Sequence, residues 1–458
     1  MNSIFKFDNS KKILIVGSGG REHAMAHKFS ESNLVEKIFV CPGNPGMELL
    51  NDKISIKNIP SHSTLELLKF ALDNEIELTV IGPEDVLELG IVDLFRENGL
   101  AIVGPTKKAS MLETSKSFAK KIMKEANVPT AKYYDCFGID EAFKCIENFN
   151  SEEMVVKCDG LAAGKGVIVC YSKKEAKIAV TQLMKENLLE KEVNHVIIEE
   201  LLTGPEVSVF ALCNNELNQK DITVNYSILG HACDHKRLKD KDIGPNTGGM
   251  GTFSPSPLFL SEDEEWVSKN IFSPMLKKMK ELKIEFSGIL FAGLMKTKNG
   301  FKVIEFNVRL GDPETQVLLP LINEDLFLWF KASATGNLAS LQNSKNQNSP
   351  IKSNLIGIHV VMAAQGYPGT EGVKIHKGEL ITLKDYPYEK GSVYFAGVKK
   401  EDATNALLTN GGRVLGITSL AKDFSTAKKN AYEIVSKINF KGHQFRTDIG
   451  HQLESEIK

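Results

Sequence analysis

The sequence predicts an α/β protein that opens with a doubly wound parallel sheet. Three observations predict it. Short β-branched apolar runs alternate with amphipathic stretches from Lys11 to Pro105. The runs end in the glycine- and proline-rich tips "GSGG", "CPGNPG", "GPED" and "GPT". A hydrophobic fraction of 42% in 458 residues supports several domain cores. Ligands of such sheets sit beyond the carboxyl ends of the strands, so the tips carry part of a site.

Within the first unit, residues 11–112, "KKILIVG" is the first strand and a helical stretch starts at Glu22. "EKIFVCPG", a helix from Thr64, "IELTVIGPE", a helix through Leu94 and "LAIVGP" follow. Ser63 and Glu66 stand at capping-box spacing before "LLKFAL". The ten or so residues before the first strand read as a disordered tail. A helix from Thr114 to Glu125 stops at "NVP" and leads into a second region, residues 113–341. Its first part, about 132–203, holds a glycine-rich loop between strands, a helix from Lys173 to Glu186 and the strand "NHVIIEELL". The strands "VSVFALC", "GILFAGLMKT" and "FKVIEFNV" then lead to a helix after "GDPETQ". Residues 342–350, beginning "QNSKNQNS", are polar and aperiodic and read as a linker to a smaller α/β unit at 351–450.

Charge narrows the partners. The 56 basic and 58 acidic residues are interspersed and leave a net charge of -2, which points to a small molecule rather than nucleic acid. The seven cysteines stand singly, without a CxxC pair, as in a reduced compartment without a disulfide framework. The opening residues lack a signal peptide's apolar core, and no run of about 18 apolar residues occurs. A cytoplasmic protein with no membrane partner is expected.

"VVKCDGLAAGKGVIVCY" (155–171) is the most informative loop. A P-loop needs four residues between its glycines, a hydroxyl after the lysine, and a following helix whose N-terminus supplies the amides. Here three residues separate Gly160 from Gly164, Gly166 follows Lys165, and "VIVCY" is a strand. Strand, glycine loop, strand makes a flap able to cover a triphosphate, with Lys157 aimed at the same phosphates; taken alone, it is equally a solvated hairpin turn. "GSGGREHA" lacks the third glycine of a dinucleotide fingerprint because Glu22 stands there, and the second strand ends without an acidic ribose partner. Its helix start still suits a monophosphate.

In "VIEFNVRLGDPE", Glu305, Asn307 and Arg309 share one face of a strand, and Ile304, Phe306 and Val308 the other. A carboxylate and an amide oxygen suit Mg²⁺ bridging nucleotide phosphates, and Arg309 beside them suits a phosphoryl group in transfer. The competing reading is a solvated edge strand. "HACDHKR" invites zinc through His231, Cys233 and His235, but no second ligand pair stands at metal-site spacing. Its Asp-His-Lys-Arg part reads better with "GPNTGGMG" (244–251) as a ligand-ordered loop. "IIEELLTGPEVS" offers an adenine-contacting connector with Glu206 for the ribose, or an exposed turn.

The motifs "GSGGREHA", "PGNPG", "GPED", "GPT", "KCDGLAAGKGV", "EELLTGPE", "DHKR", "GPNTGGMG", "EFNVRLGDPETQ", "TNGGRVL" and "RTDIG" occur in that order from about Lys11 to Gly450. In this the chain resembles the phosphoribosylamine-glycine ligases, ATP-grasp enzymes of purine synthesis. The resemblance implies a central two-part ATP-grasp region and the joining of glycine to 5-phosphoribosylamine through a glycyl phosphate. It implies MgATP, or the manganese complex, no nucleic acid partner and a monomer. It also implies that Lys116 and Lys157 hold ATP phosphates under a loop of Asp159, Gly160, Gly164, Lys165 and Gly166. Glu199, Glu200, Leu201 and Leu202 would line the adenine, with Glu206 on the ribose. Glu305 and Asn307 would bind metal, and Arg309 and Lys157 would act in catalysis. Gly19, Gly20, Arg21, Glu22, Asp234, Lys236, Asp312, Pro313 and Glu314 would hold the other substrates. Ser18, Pro205 and Cys233 depart from the family's usual Asn, Glu and Gln, and "GILFAGLM" supplies no second metal carboxylate.

Overall fold

Strand β1 (Lys11–Gly17) is apolar from Ile13 to Val16, all fully buried, because helices cover both faces of its sheet; only its opening lysines are part-exposed. The structure is a computed structural model that describes residues 10–162, 166–186, 192–215, 224–345, 349–350, 353–370, 372–385 and 387–456. The proposed N-terminal tail lies almost wholly outside them.

β1 pairs in parallel with β2 (Val35–Pro42) and β4 (Leu78–Ile81). β3 (Ile54–Ile56) and β5 (Ile102–Val103) flank these, giving the order β3-β2-β1-β4-β5. Helices α1 (Gly20–Ser30), α2 (Thr64–Asp73), α3 (Glu84–Glu88) and α4 (Ile91–Glu97) connect the strands. The order reverses between β1 and β4, which opens a ligand crevice at their carboxyl ends. Ser63 precedes α2, yet its side chain makes no cap hydrogen bond, so spacing alone did not build the predicted box. At α1 half of that arrangement is present: Gly19 N–H donates to Glu22 Oε2 at 2.5 Å, while glycine has no side chain to return the bond.

The connector helix expected from Thr114 to Glu125 is present from Lys116, and a separate helix precedes it. α5 (Lys107–Thr114) and α6 (Lys116–Glu125) break at Ser115, whose extended backbone and hydroxyl cap α6 at Phe118 N–H. Next comes a small subdomain with its own core. β6 (Tyr133–Phe137), β7 (Met154–Cys158), β8 (Val167–Cys170) and β9 (His195–Glu200) form the antiparallel sheet β6-β9-β7-β8. Packed on it are α7 (Ile139–Asn148) and α8 (Lys173–Met184), with Ile146, Val156, Leu183 and Ile198 among the buried residues. The strand, loop, strand arrangement of the glycine-rich segment is borne out, with Lys157 opposite Val167.

The rest is built on one large antiparallel sheet with small two-stranded ribbons beside it. β10 (Glu206–Asn215), β11 (Asn225–Asp234), the ribbon β12 (Arg237–Lys239) and β13 (Ile243–Asn246), and β14 (Gly251–Ser254) come first. α9 (Ser261–Val267) and α10 (Ser273–Glu281) precede β15 (Phe286–Thr297) and β16 (Gly300–Asn307). α11 (Thr315–Leu318), α12 (Leu326–Ala334) and α13 (Leu338–Lys345) follow. The first four residues of the expected linker are thus the last turn of α13, which Leu338 anchors in the core. β17 (Ile356–Ala363) and β18 (Thr382–Leu383) come next, then β19 (Ser392–Phe395), β20 (Val398–Lys400), β21 (Leu407–Thr409) and β22 (Arg413–Ala421). α14 (Phe424–Val435) packs on β17 and β22. The sheet runs β16-β15-β10-β11-β14-β17-β22-β19, so the C-terminal unit continues the central one through the β14–β17 ladder. No helix among the described residues is long and apolar enough to cross a membrane.

Candidate active site

Glu305, Asn307 and Arg309 lie at the end of β16 and in the turn after it. The β15–β16 register shifts between Gly293 and Leu294, leaving Ile304 as the extra residue. Buried apolar positions accordingly move from Phe301 and Val303 to Phe306 and Val308. One inserted residue exchanges the faces of everything beyond it, and here that turns Glu305 and Asn307 towards the cleft.

Four cations face the Glu305 carboxylate. Burial pushes its pKa up, but Lys236, Lys157, Lys116 and Arg309 together hold it below the usual range. No direct hydrogen bond or ion pair takes this carboxylate among the described residues. Arg309 is fully engaged. Its Nη2 donates to Asn307 Oδ1 at 3.2 Å, and the guanidinium pairs with Glu84 at 3.1 Å and Glu113 at 2.8 Å. Glu113 also accepts Val308 N–H at 2.8 Å, and burial raises its pKa to about 7 against the pull of Arg309. Sequence reasoning missed both acids: Glu84 lies in the "GPED" tip, whereas Glu113, inside a helix, carries no sequence signal.

The two expected ATP lysines come from different elements, Lys157 from β7 and Lys116 from the start of α6. Lys157 Nζ lies 3.0 Å from Glu199 Oε2, and the same oxygen receives Lys120 Nζ at 3.0 Å. Lys120 also donates to Thr130 Oγ1 at 2.8 Å; burial and the like charge of Lys157 lower its pKa to about 8 despite Glu199. Lys116 Nζ donates to Gly160 O at 3.0 Å, and Gly160 sits at φ +91°, a conformation that glycine adopts without strain. The Asp159 carboxylate accepts Ser117 N–H at 3.2 Å and the Ser115 hydroxyl at 3.1 Å. Gly166 packs against Cys158 Sγ, while Gly164 and Lys165 lie outside the described residues. Glu200 turns away to Lys302 at 3.0 Å, Leu201 and Leu202 are half-buried beyond β9, and Glu206 pairs with Lys236.

At the crevice between β1 and β4, the anion on the α1 start is the protein's own Glu22. Its carboxylate crowds Gly17 and Gly82 and pairs with Arg21 Nε at 2.6 Å. Like charges repel, so a monophosphate on the Gly19 amide, as the motif predicts, would have to displace it. Asp312 is held by Arg413 at 3.1 Å and Gln316 at 2.7 Å; Arg413 and Arg21 keep its pKa low against burial. Glu314 accepts the Ser208 hydroxyl at 3.0 Å. Asp234 Oδ1 is buried without a hydrogen-bond partner among the described residues, and burial plus the Glu314 charge push its pKa well up. Pro313 packs against Gly249 beside it. The His231–Cys233–His235 zinc reading gains nothing: His231 and His235 bond to the backbone at Ser256 and Gly251, and no metal-holding group of three His, Cys, Asp or Glu exists among the described residues.

Two segments of the C-terminal unit close the site. Arg413, from "TNGGRVL", also donates to Gly248 O at 2.5 Å and Asp312 O at 2.6 Å. Arg446, from "RTDIG", is fully buried and pairs with Asp242 at 2.6 Å and Asp448 at 2.7 Å. Together they grip both ends of the loop that follows Lys236.

A lysine-flanked glycine loop in a separate small sheet, facing a carboxylate and an amide on the central sheet, defines the ATP-grasp class. Residues 114–315 match the ATP-grasp (A) domain of phosphoribosylglycinamide synthetase, residues 11–113 its N domain and residues 357–452 its C domain. The chain belongs to the phosphoribosylglycinamide synthetase family. A phosphoribosylamine–glycine ligase of Fusobacterium nucleatum is 39% identical over 96% of this chain and 98% of its own length. The trifunctional purine biosynthetic protein adenosine-3 of Gallus gallus is 40% identical over 96% of this chain and 42% of its own. The crystal structure of phosphoribosylamine–glycine ligase from Thermotoga maritima shares 33% identity and superposes with a TM-score of 0.79, covering 96% of this chain and 100% of that one. The biotin carboxylase domain of Hydrogenobacter thermophilus 2-oxoglutarate carboxylase shares the fold at 17% identity and TM-score 0.69, over 95% of this chain and 91% of that one.

Proposed function

We propose that this chain joins glycine to 5-phosphoribosylamine with cleavage of ATP, releasing glycinamide ribonucleotide, ADP and phosphate, as a monomeric cytoplasmic enzyme of purine synthesis. The observation that carries the reading is the convergence of Lys116, Lys157, Lys236 and Arg309 on Glu305 in a chain of this family.

The glycine carboxylate oxygen attacks the γ-phosphorus of ATP as the bond to the β-γ bridging oxygen breaks; ADP leaves and glycyl phosphate remains. The ribosylamine nitrogen then attacks the acyl carbon, phosphate leaves, and the nitrogen loses a proton. No nucleophilic side chain is required, so the protein's share is positioning and charge neutralisation. Lys116 and Lys157 hold the phosphates, with Asp159, Gly160 and Gly166 of the glycine-rich segment beside them. Glu199 to Leu202 border the adenine and Glu206 the ribose. Glu305 and Asn307 suit Mg²⁺, or Mn²⁺, as hard oxygen donors; Asn307 Oδ1 is oriented by Arg309, and Glu305 is left unbonded by its described neighbours. The metal would neutralise phosphate charge there. Arg309, immobilised by Glu84 and Glu113, steadies the acyl phosphate. Gly19 to Glu22, Asp234, Lys236 and Asp312 to Glu314 border the phosphoribosylamine and glycine.

The test is ADP release by the purified chain with MgATP and glycine, with and without phosphoribosylamine generated from ribose 5-phosphate and ammonia. ADP that appears only with both substrates, together with glycinamide ribonucleotide, is the expected result. ADP release driven by bicarbonate or another carboxylate would transfer the reading to a carboxylase or a different ligase of the same fold.

A further inference from the structure

The small sheet holds a cluster that the proposed roles leave unused. His195 opens β9, and its ring lies between two carboxylates: Nε2 contacts Asp135 Oδ1, and Nδ1 is 3.4 Å from Asp159 Oδ2. Phe137 stacks on the imidazole with ring centres 4.0 Å apart. Asp135 accepts the Ser117 hydroxyl at 2.5 Å, and Asp159 accepts Ser117 N–H and the Ser115 hydroxyl. The backbone adds a tie, Asp159 N–H to His195 O at 3.2 Å. The Ser115 and Ser117 bonds tie this cluster to the start of α6, where Lys116 is the first helical residue and reaches back to Gly160 O.

The connector and the small sheet therefore meet here, at the start of α6, as they do further along it at Lys120 and Glu199. α6 belongs to the connector from the first unit, and Asp159 and Gly160 begin the glycine-rich segment of the small sheet. A helix start attracts a carboxylate because its amides are unpaired and its dipole is positive there. Asp159 is that carboxylate, and the His195 ring, 3.4 Å from the same Oδ2 that accepts the Ser115 hydroxyl, restricts where it can sit. β9 serves both lysines: His195, Ile197 and Glu199 share a strand face, and Glu199 holds Lys157.

We propose that His195 is a positioning residue for nucleotide binding. Held by Asp135, it sets Asp159 on the α6 start and so fixes Lys116 relative to the backbone of the phosphate loop. The proposal rests on the reading of Lys116 as a phosphate ligand, and on that part of the proposed function alone.

The test is a double-mutant cycle on MgATP affinity, measured by calorimetric titration of the full chain, with His195→Ala, Lys116→Met and the pair. His195→Ala is expected to weaken MgATP about tenfold, as for one charge-assisted hydrogen bond lost. In the Lys116→Met background the same change should alter affinity less than about twofold, because its effect passes through the ammonium. His195→Gln, which keeps an N–H for Asp135, should recover most of the affinity. Should His195→Ala not fold, Asp135→Asn replaces it in the cycle, since asparagine still accepts from Ser117 but loses the charge facing His195. Fully additive losses, or unchanged affinity in a folded variant, would overturn the proposal. A cycle that shows coupling in a chain that makes no glycinamide ribonucleotide would leave it standing and remove the ligase reading; additive losses in an active ligase would do the reverse.

Discussion

Lys157→Met tests the phosphate site while leaving its surroundings nearly intact. Methionine keeps an unbranched, flexible side chain and removes only the ammonium. In the structure that ammonium shares Glu199 Oε2 with Lys120, each at 3.0 Å. After the substitution Glu199 keeps Lys120, no buried charge is stranded, and the loss of folding stability should be about 1 kcal/mol, one hydrogen bond's worth. Nucleotide binding should suffer more. A charged hydrogen bond to phosphate contributes about 1.5–3 kcal/mol, or roughly 10- to 100-fold in Kd. Because Lys157 must divide itself between Glu199 and the phosphates, the low end, about 10- to 30-fold, is expected. Glu199→Gln is the control: it leaves two buried ammoniums facing a neutral acceptor and should destabilise the fold by about 3–5 kcal/mol. Calorimetric titration with MgATP, KM for ATP and the thermal midpoint would be read together. A Lys157→Met chain that binds MgATP within about twofold of the unaltered chain would refute the phosphate role.

Glu305→Gln removes a negative charge faced by four cations; turnover should fall about 100-fold or more, and near-normal kcat would sink the metal assignment. The thermal midpoint should drop less than in Glu199→Gln, because Glu305 has no direct ion-pair partner among the described residues. Arg446→Met strands Asp448 and Asp242, whose side chains are 20% and 47% exposed, so water relieves part of the penalty and about 3 kcal/mol of destabilisation is expected in denaturant unfolding. Lys120 has a folded pKa near 8 against 10.5 for the free side chain, so between those values the unfolded chain binds more protons. The stability of the unaltered chain relative to Lys120→Met should therefore rise with pH in that window, by at most about 1.4 kcal/mol per pH unit, and a falling difference would contradict the burial argument.

The sequence alone determined the alternating α/β order of the first unit, the strand-loop-strand form of the glycine segment and the grouping of Glu305 with Asn307. Each depends on local rules: apolar runs in a sheet covered on both faces, glycines between strand-like segments, and the two-residue period of a strand. Motif order likewise carried the family, because "KCDGLAAGKGV" and "EFNVRLGDPETQ" are contiguous pieces of one site. Where local rules misled, packing supplied the reason: the polar "QNSK" continues α13, anchored by Leu338, and Ser63 precedes α2 without capping it.

Tertiary structure alone decided which charges meet. Glu113 and Glu84 reach Arg309 from two helices far away along the chain, α5 and the start of α3, Lys120 shares Glu199 with Lys157, and Arg446 locks the loop behind Lys236. The side of the sheet to which the Glu305 and Asn307 pair turns depends on the extra residue at Ile304, where the register with the partner strand shifts. Periodicity assigns a residue to a face, but a Coulomb interaction depends on distance and surrounding dielectric, and both are fixed only when distant segments pack together.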